Sequence, residues 1–230
     1  MKHILITGIT KGIGLAIAER FAQDSNYCVI GCARTKSDIA LLAQKHPQFS
    51  LYPCDVSNKQ ELKAIAKQIL NTYHKIDILI NNAGRFIQGK IHEEEDEVFE
   101  TLLHTNLFSA YYLSKAVIPG MKAQKDGTII NICSTASIKA YPSGGSYCVS
   151  KFGLLGLSKV LRQELYPYNI RVVAILPGAT LTHSWQGTDL PTQRFMQPQE
   201  IAEVVWSVCH LPQNCVVEEV ILRPMEGDIS

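Results

Sequence analysis

The sequence predicts a doubly wound α/β/α sandwich, in which helices cover both faces of a seven-stranded parallel sheet. Short β-rich runs alternate with longer stretches of helical periodicity throughout the 230 residues. Most of the runs are nearly continuously apolar, as residues 129–132 show, which is typical of parallel strands covered on both faces. Because repeated βα units produce parallel strands with right-handed crossovers, we expect a single domain spanning residues 1–230.

The predicted strands alternate with helices, several of which have recognisable ends. The apolar residues of 62–73 fall on one helical face, and Ser57 with Gln60 predicts a capping box before them. We expect Pro119 and Pro167 to end the helices that precede them, because proline lacks an amide proton and clashes with the preceding turn. The seven strands are predicted at residues 3–7, 28–32, 50–53, 78–81, 128–133, 171–176 and 216–222.

An acidic run at residues 93–97 lies where another helix should begin. We interpret this run as a solvated first turn, since the positive end of the helix dipole favours carboxylates there. The two longest helices are expected after the fourth and fifth strands, at about residues 95–118 and 146–166.

The composition argues against several classes of partner. The formal net charge is only +1, so no electrostatic nucleic-acid or membrane partner is expected. No stretch approaches the ~20 apolar residues that span a bilayer, and residues 1–8 are too short for a signal peptide, so we expect a cytoplasmic protein. The histidines lack metal-ligand spacing, and no metal site is expected. The seven scattered cysteines indicate buried thiols in a reducing compartment, although Cys148 adjoins a candidate catalytic residue.

A glycine-rich turn, Thr-Gly-Ile-Thr-Lys-Gly-Ile-Gly, follows the first predicted strand and opens the first helix. Glycine lets the backbone turn tightly and approach a pyrophosphate, whose charge is met by the helix N-terminus. A glycine-rich turn alone is a weak signal, but its place between a strand and an apolar helix predicts a dinucleotide site. The predicted contacts in the turn are Gly8, Thr10, Lys11, Gly12, Ile13 and Gly14.

The residues at the end of the second strand indicate which dinucleotide binds. An NAD site places an acid ~20 residues past the glycines to hold the ribose 2′-hydroxyl. Here Ala33 and Arg34 occupy that place, and a guanidinium can bind a 2′-phosphate through charge-assisted hydrogen bonds. Lys11 adds a second positive charge. The sequence therefore favours NADP(H) over NAD(H).

Tyr147 and Lys151 stand four residues apart on a predicted helix, so they share one face. A phenol normally titrates near ~10, and a nearby ammonium should lower that pKa. We therefore expect Lys151 to make Tyr147 a usable general acid or base.

Taken together, these motifs resemble the short-chain dehydrogenase/reductase family over essentially the whole chain. The resemblance implies a Rossmann-like fold and hydride transfer between a nicotinamide and a carbonyl or alcohol. It also implies three further cofactor contacts: Asp55 and Val56 at the adenine, a loop of Asn82, Ala83 and Gly84 under the adenine-side ribose, and Pro177, Gly178, Thr180 and Thr182 at the carboxamide. Thr180 departs from the more usual branched aliphatic residue, but its contact is expected from the backbone.

The same resemblance assigns catalytic roles to four residues. Tyr147 would exchange the proton of the substrate oxygen, and Ser134 would hydrogen-bond that oxygen. Lys151 would hold the nicotinamide ribose. Asn106 would position a water that links Lys151 to solvent protons.

Three alternatives were weighed against a reductase of small carbonyl compounds. No Gly-x-Ser-x-Gly elbow surrounds Ser134, which argues against a serine hydrolase. A 3-oxoacyl-(acyl-carrier-protein) reductase is disfavoured because Thr128 and Tyr168 stand where such enzymes tend to carry arginines. A silent NADP-binding sensor or scaffold would be expected to have lost Tyr147 or Lys151.

Specificity is expected in residues 183–190, facing residues 139–144, and this short polar segment favours a small or medium polar carbonyl over a steroid. A homodimer or homotetramer is expected through the two long helices. The second of them carries apolar residues beyond one core-facing stripe, namely Phe152, Leu155, Val160 and Leu161.

Overall fold

The computed structural model describes residues 1–185 and 187–228, and it contains the seven predicted strands in one parallel sheet. The strands are β1 (Lys2–Thr7), β2 (Tyr27–Ala33), β3 (Ser50–Pro53), β4 (Ile78–Asn81), β5 (Gly127–Ile132), β6 (Ile170–Pro177) and β7 (Glu219–Leu222). The helices are α1 (Gly12–Ala22), α2 (Lys36–Lys45), α3 (Lys59–Tyr73), α4 (Asp96–Leu103), α5 (Ser109–Gln124), α6 (Gly145–Leu165) and α7 (Pro198–Cys209). A π-helix, His104–Phe108, joins α4 directly to α5.

The strand order is β3-β2-β1-β4-β5-β6-β7, and every pairing is parallel. From β1 the chain adds β2 and then β3 on one side of the sheet. It then crosses back and adds β4 to β7 on the other side of β1. In doubly wound folds, ligands bind in the crevice at the carboxyl ends of the strands where this reversal occurs. The crevice between β1 and β4 is therefore the expected site.

Alternate residues of the central strands point to the two faces of the sheet, as strand geometry requires. Ile4 and Ile6 pack in one core with Phe21 of α1 and Val205 of α7. Leu5 packs on the other face, in a core that α3, α5 and α6 cover. Both faces are thus buried, which explains the nearly continuous apolar runs of the sequence.

Two predicted helix ends are wrong. Pro119 lies inside α5 and does not end it. Its ring is on the exposed side, where water can bond the carbonyl that it leaves free, while Val117 and Met121 hold the helix on the core. The cap of α3 is Asn58, whose Oδ1 accepts from the amides of Gln60 and Glu61, because the Ser57 hydroxyl donates to Asp55 instead.

Other boundaries agree more closely. The α-helix before Pro167 does end, at Leu165, and a 3₁₀ turn over Tyr166–Tyr168 follows it. The last strand is shorter than predicted, because its pairing with β6 begins only where Glu219 lies opposite Ala174. Within the described ranges, no helix is both long and apolar enough to cross a membrane.

The interpretation of residues 93–97 as a solvated first turn is correct for only part of the run. Asp96 and Glu97 do form the exposed first turn of α4. Glu94 instead turns away from solvent and binds the N-terminus of α6. The helix dipole that favours the Glu94 carboxylate is therefore that of α6 and not that of α4.

Candidate active site

The glycine turn lies at the carboxyl end of β1 and leads into α1. Gly8 and Gly12 have φ angles of +69° and +58°, in the left-handed region that glycine adopts without penalty. A Cβ on Gly14 would lie 2.4 Å from the carbonyl oxygen of Gly8, so no side chain fits there. The turn thus brings bare backbone and the N-terminus of α1 to the crevice.

Asn82 and Thr7 hold the loop after β4 against this turn. The Asn82 side-chain amide donates to the carbonyl oxygens of Thr7 at 2.9 Å and Gly8 at 3.2 Å. The Thr7 hydroxyl accepts from the backbone amides of Asn82 at 3.0 Å and Ala83 at 2.9 Å. Asn82 is therefore a structural brace of the turn, and Thr7 is a second brace, which the sequence analysis quoted only as part of the motif.

The two basic residues predicted to select the dinucleotide are exposed. The end of β2 lies beside the glycine turn, since the Gly8 amide donates to the Cys32 carbonyl at 2.8 Å. Arg34 follows two residues later, and Lys11 is the residue that precedes α1. Neither side chain makes a hydrogen bond or ion pair within the described part of the chain, so both charges are free to meet an anion.

The residues predicted to contact the adenine are, unlike Lys11 and Arg34, already held by other residues of the protein. Asp55 Oδ1 accepts from the Ser57 amide at 3.0 Å and from its hydroxyl at 2.7 Å, which fixes the carboxylate at the end of β3. Val56 and Ile13 pack partly against the cores on opposite faces of the sheet. Thr10 is half-buried in the glycine turn.

The segment after β6 reaches across the crevice to the glycine turn. The Gly178 amide donates to the Leu222 carbonyl at 2.8 Å, which ties the end of β6 to β7. Thr180 is buried, and its hydroxyl donates to the Gly178 carbonyl at 3.1 Å, so its side chain is satisfied within the protein. Thr182 lies opposite Gly12, where a Cβ would approach its Cγ2 to 3.3 Å.

Tyr147, Lys151 and Ser134 come together as predicted. Tyr147 and Lys151 are one turn apart on α6, and the Lys151 Nζ lies 5.8 Å from the centre of the Tyr147 ring. Ser134 follows β5 and begins the 3₁₀ turn Thr135–Ser137; its side chain accepts from the Ala136 amide at 3.1 Å and lies close enough to the Tyr147 hydroxyl to lower the pKa of the phenol. Two elements, α6 and the turn after β5, therefore converge on one phenol.

The electrostatics of Tyr147 differ from the prediction. Part of the side chain is open to the cleft, but protein atoms crowd round its hydroxyl, and this burial raises the pKa of Tyr147 to about 12. The nearby Ser134 hydroxyl lowers the pKa of Tyr147 but does not offset the effect of burial. Lys151 does not bring the pKa below its usual range, because its ammonium is itself buried and donates to the Ile132 carbonyl at 3.0 Å. Burial lowers the pKa of Lys151 as well.

Asn106 is buried in the π-helix, and both polar atoms of its side chain are hydrogen-bonded. Its Oδ1 accepts from the Arg85 amide at 2.7 Å, and its Nδ2 donates to the Arg85 carbonyl and to the Ser150 hydroxyl, both at 2.9 Å. A Cβ on Gly84 would lie 3.5 Å from both Asn106 Oδ1 and Lys151 Nζ. These contacts link the loop after β4 to α6.

A family comparison fits this arrangement. The profile described as "short chain dehydrogenase" matches residues 2–191. The chain belongs to the short-chain dehydrogenase family. Its fold, glycine turn and Tyr-x-x-x-Lys helix thus lie in a family of oxidoreductases.

Characterised relatives and solved structures cover the whole chain. A sepiapterin reductase of Chlorobaculum tepidum is 34% identical over 100% of this chain and 99% of its own. A 3-oxoacyl-[acyl-carrier-protein] reductase of Thermotoga maritima is 28% identical, over 96% and 95%. Among solved structures, an alcohol dehydrogenase from the archaeon Thermococcus sibiricus, complexed with 5-hydroxy-NADP, has a TM-score of 0.89 at 27% identity, over 100% of this chain and 99% of its own.

The substrate side of this dehydrogenase contains one residue that the sequence analysis missed. Phe86 stands edge-on to Tyr147, with ring centres 4.9 Å apart, and a large exposed aromatic after a strand was its only signal. In the segment after β6, Trp185 packs on Phe195, with ring centres 4.9 Å apart. Gln186, within the predicted specificity segment, lies outside the described residues. Cys148 is 5% exposed and lines, with Tyr141, a depression of about 640 Å³.

Proposed function

We propose that this protein is an NADP(H)-dependent oxidoreductase that interconverts a small or medium carbonyl compound and its alcohol. One observation carries the proposal: the Tyr147 hydroxyl, beside Ser134 and one turn from Lys151, stands on the strand β5 side of the crevice that the glycine turn borders. A protonated phenol beside a dinucleotide crevice is suited to give a proton to a reduced carbonyl.

The residues present fit NADP(H). Gly12 and the N-terminus of α1 offer backbone amides to a pyrophosphate, Gly8 allows the tight turn before them, and no acidic residue in the first turn of α1 opposes the phosphate charge. Lys11 and Arg34 supply unpaired positive charges for a 2′-phosphate, and Ala33 supplies no acid for a 2′-hydroxyl. The solved relatives complexed with NADP or NADPH support this choice over NAD(H). When bound, the nicotinamide supplies or accepts the hydride.

The protein's own residues supply the proton to the substrate oxygen and stabilise the negative charge that develops on it. Tyr147 remains protonated at neutral pH, because burial raises the pKa of its phenol, and it donates that proton to the substrate oxygen during reduction. Ser134 donates to the same oxygen while its negative charge develops. Lys151 holds the nicotinamide ribose. Asn106 fixes the loop after β4 against α6 and, in this proposal, positions the water that returns a proton through Lys151.

The substrate is proposed from the relatives and from the walls of the cleft. The Chlorobaculum tepidum relative makes sepiapterin the first compound to test. An acyl-carrier-protein substrate has less support. Thr128 is buried in β5, and Tyr168 lies under the Lys122 ammonium at 3.8 Å, so neither position offers a guanidinium to an acidic carrier.

A substrate screen tests the proposal. Purified protein is mixed with NADPH or NADH and with sepiapterin, aldehydes, ketoesters or a 3-oxoacyl thioester, while the absorbance of the reduced cofactor is followed. We expect turnover of a small carbonyl with NADPH and much less with NADH. If the protein binds NADPH but oxidises it with none of these compounds, the sensor or scaffold role replaces the reductase.

We also propose a cytoplasmic homodimer or homotetramer. All seven cysteines are free, which supports a reducing compartment. Of the apolar residues expected in the α6 interface, Leu155 and Leu161 are buried within the chain itself, whereas Phe152 and Val160 are 45% and 54% exposed. Tyr111 of α5 is exposed as well, so an apolar face remains for an isologous contact. A monomer mass in light scattering at micromolar concentration would reject this assembly.

A further inference from the structure

The carboxylate of Glu94 is bound to the first turn of the catalytic helix. Its Oε1 accepts from the Ser146 amide at 3.2 Å and also from the Ser146 hydroxyl. Ser146 is 2% exposed and directly precedes Tyr147. The first turn of α6 contains no acidic residue of its own, so the anion at its N-terminus comes from a position 52 residues earlier.

Two glycines leave room for this carboxylate. A Cβ on either Gly89 or Gly145 would lie 3.0 Å from Glu94 Oε2. Gly145 has a φ of +37°, which disfavours any other residue there. The Gly89 amide also donates to the Ser143 carbonyl at 3.1 Å, which joins the same two segments a second time.

The position is costly for a carboxylate. Glu94 Oε2 is buried and has no hydrogen-bond partner within the described residues, and an unpaired buried polar atom disfavours folding. The partial positive charge at the N-terminus of α6 offsets part of that cost. The neighbouring Glu93 and Glu95 remain exposed, so the burial is specific to Glu94.

The segment that carries Glu94 touches the catalytic residues along its length. We define residues 85–94 as the wall segment. At its start, both backbone polar groups of Arg85 bond the side chain of Asn106, and Phe86 stands edge-on to Tyr147. At its end, Glu94 accepts a hydrogen bond from the amide of Ser146, the residue before Tyr147. The wall segment thus contacts the Tyr147 ring at its start and the residue before Tyr147 at its end.

We propose that Glu94 is a positioning residue: by holding Ser146, it sets the first turn of α6 and so aims the Tyr147 hydroxyl at the substrate oxygen. This inference rests on the proposed reductase function. It predicts that Glu94 acts on the proton-transfer step and leaves NADPH binding unchanged, because none of its contacts reaches the glycine turn.

The test compares Glu94→Ala with Glu95→Ala, a matched control that removes an adjacent exposed carboxylate. In Glu94→Ala, we expect kcat to fall between about tenfold and 100-fold, as a small misplacement of a reacting group does. The KM for NADPH should stay within about twofold. Glu94→Gln retains an acceptor oxygen for Ser146 and should recover most of the lost kcat, and Glu95→Ala should match wild type.

Hydrogen exchange provides a readout that does not need turnover. Amides in a peptide covering residues 143–149 should exchange at least about tenfold faster in Glu94→Ala than in wild type, while peptides from β1 and β4 should not change. Unchanged exchange in that peptide would overturn the inference even if the wild type reduced no carbonyl tested. A wild-type kcat in Glu94→Ala, or a Glu94→Gln variant as slow as Glu94→Ala, would also overturn it. Absence of wild-type turnover would count only against the proposed function.

Discussion

The two sides of the crevice are built in opposite ways. At the carboxyl ends of β1 and β2, the protein offers backbone without side chains at Gly8 and Gly14, and an exposed cation at Arg34. Beyond β4 and β5, it offers side chains enclosed by protein, as Asn106 and Lys151 are 1% and 5% exposed. The first side needs open space and an unpaired charge to bind the dinucleotide. On the second side, the chemical behaviour of each group depends on the protein atoms that surround it. Substitutions on the two sides should therefore fail in different ways.

The largest effect is expected on the enclosed side, from Tyr147→Phe. The ring keeps its contact with Phe86, so folding and NADPH affinity should hardly change. Without the proton donor, kcat for any carbonyl that wild type reduces should fall by ~10²–10⁴. Tyr166→Phe removes the same atom from a ring that is 70% exposed just beyond the far end of α6 and is the control, with turnover expected at the wild-type level. Near-wild-type turnover in Tyr147→Phe would refute the mechanism.

Lys151 sharpens the same test because its proposed role spans both sides of the crevice. Lys151→Ala should lose turnover and also weaken NADPH binding, which fluorescence titration would measure. The kcat losses of Tyr147→Phe and Lys151→Ala should not add in the double variant, as expected for residues that act as a unit. Additive losses of kcat would show that Tyr147 and Lys151 act independently.

The pH dependence of the two reaction directions is the second largest effect. Because burial raises the pKa of Tyr147 to about 12, the phenol is protonated throughout the neutral range and can donate in reduction. Alcohol oxidation needs the phenolate, so its rate should rise by up to about tenfold per pH unit below that pKa. Initial rates in both directions across neutral and alkaline buffers would measure this. An oxidation rate that is already level near neutral pH would show that Tyr147 titrates far lower during catalysis.

A smaller effect is expected from Arg34→Ala on the open side. Loss of one charged hydrogen-bonding partner should weaken NADPH binding by about 1.5–3 kcal/mol and leave NADH binding nearly unchanged. Lys36→Ala removes another exposed cation just beyond β2 and should change neither affinity. Wild-type protein that binds NADH more tightly than NADPH would contradict the assignment of Arg34.

The smallest effect is expected from Thr180→Val, which keeps the shape of the side chain. The Thr180 hydroxyl donates to the Gly178 carbonyl, so its loss should lower the free energy of unfolding by about 0.5–1.5 kcal/mol. Activity and the KM for NADPH should not change, because the proposed contact there comes from the backbone. Denaturant unfolding measures the first quantity, and a raised KM would show that the hydroxyl itself binds the cofactor.

The sequence predicted well those features that depend on local pattern. All seven strands occur at or within a few residues of their predicted positions, because a strand buried on both faces must be apolar throughout. The glycine turn was equally readable, since the lack of a Cβ at Gly14 is what its tight packing requires. The place of Tyr147 and Lys151 on one helical face followed from their spacing alone.

The features that were missed depend on contacts between distant segments. The pKa of Tyr147 is raised because distant parts of the chain fold around its hydroxyl. No local sequence pattern reveals how many protein atoms surround that hydroxyl. The partner of Glu94 lies 52 residues away, so its acidic neighbours suggested a solvated turn. Pro119 is tolerated in α5 because it faces outward, and its exposure could not be read from the residue type.

The π-helix at His104–Phe108 makes this site sensitive to chain length as well as to residue type. A π-turn contains one residue more than an α-turn, so deleting a single residue there would leave an ordinary continuous α-helix. Because the widened turn absorbs the extra residue, the deletion would leave α4 and α5 nearly in place and would change mainly the directions of the side chains within the turn. Asn106 could then no longer meet Arg85 and Ser150 together. An alignment gap of one residue at this point should therefore distinguish chains that retain this link from chains that have lost it, even where every residue of the Tyr-x-x-x-Lys motif is present.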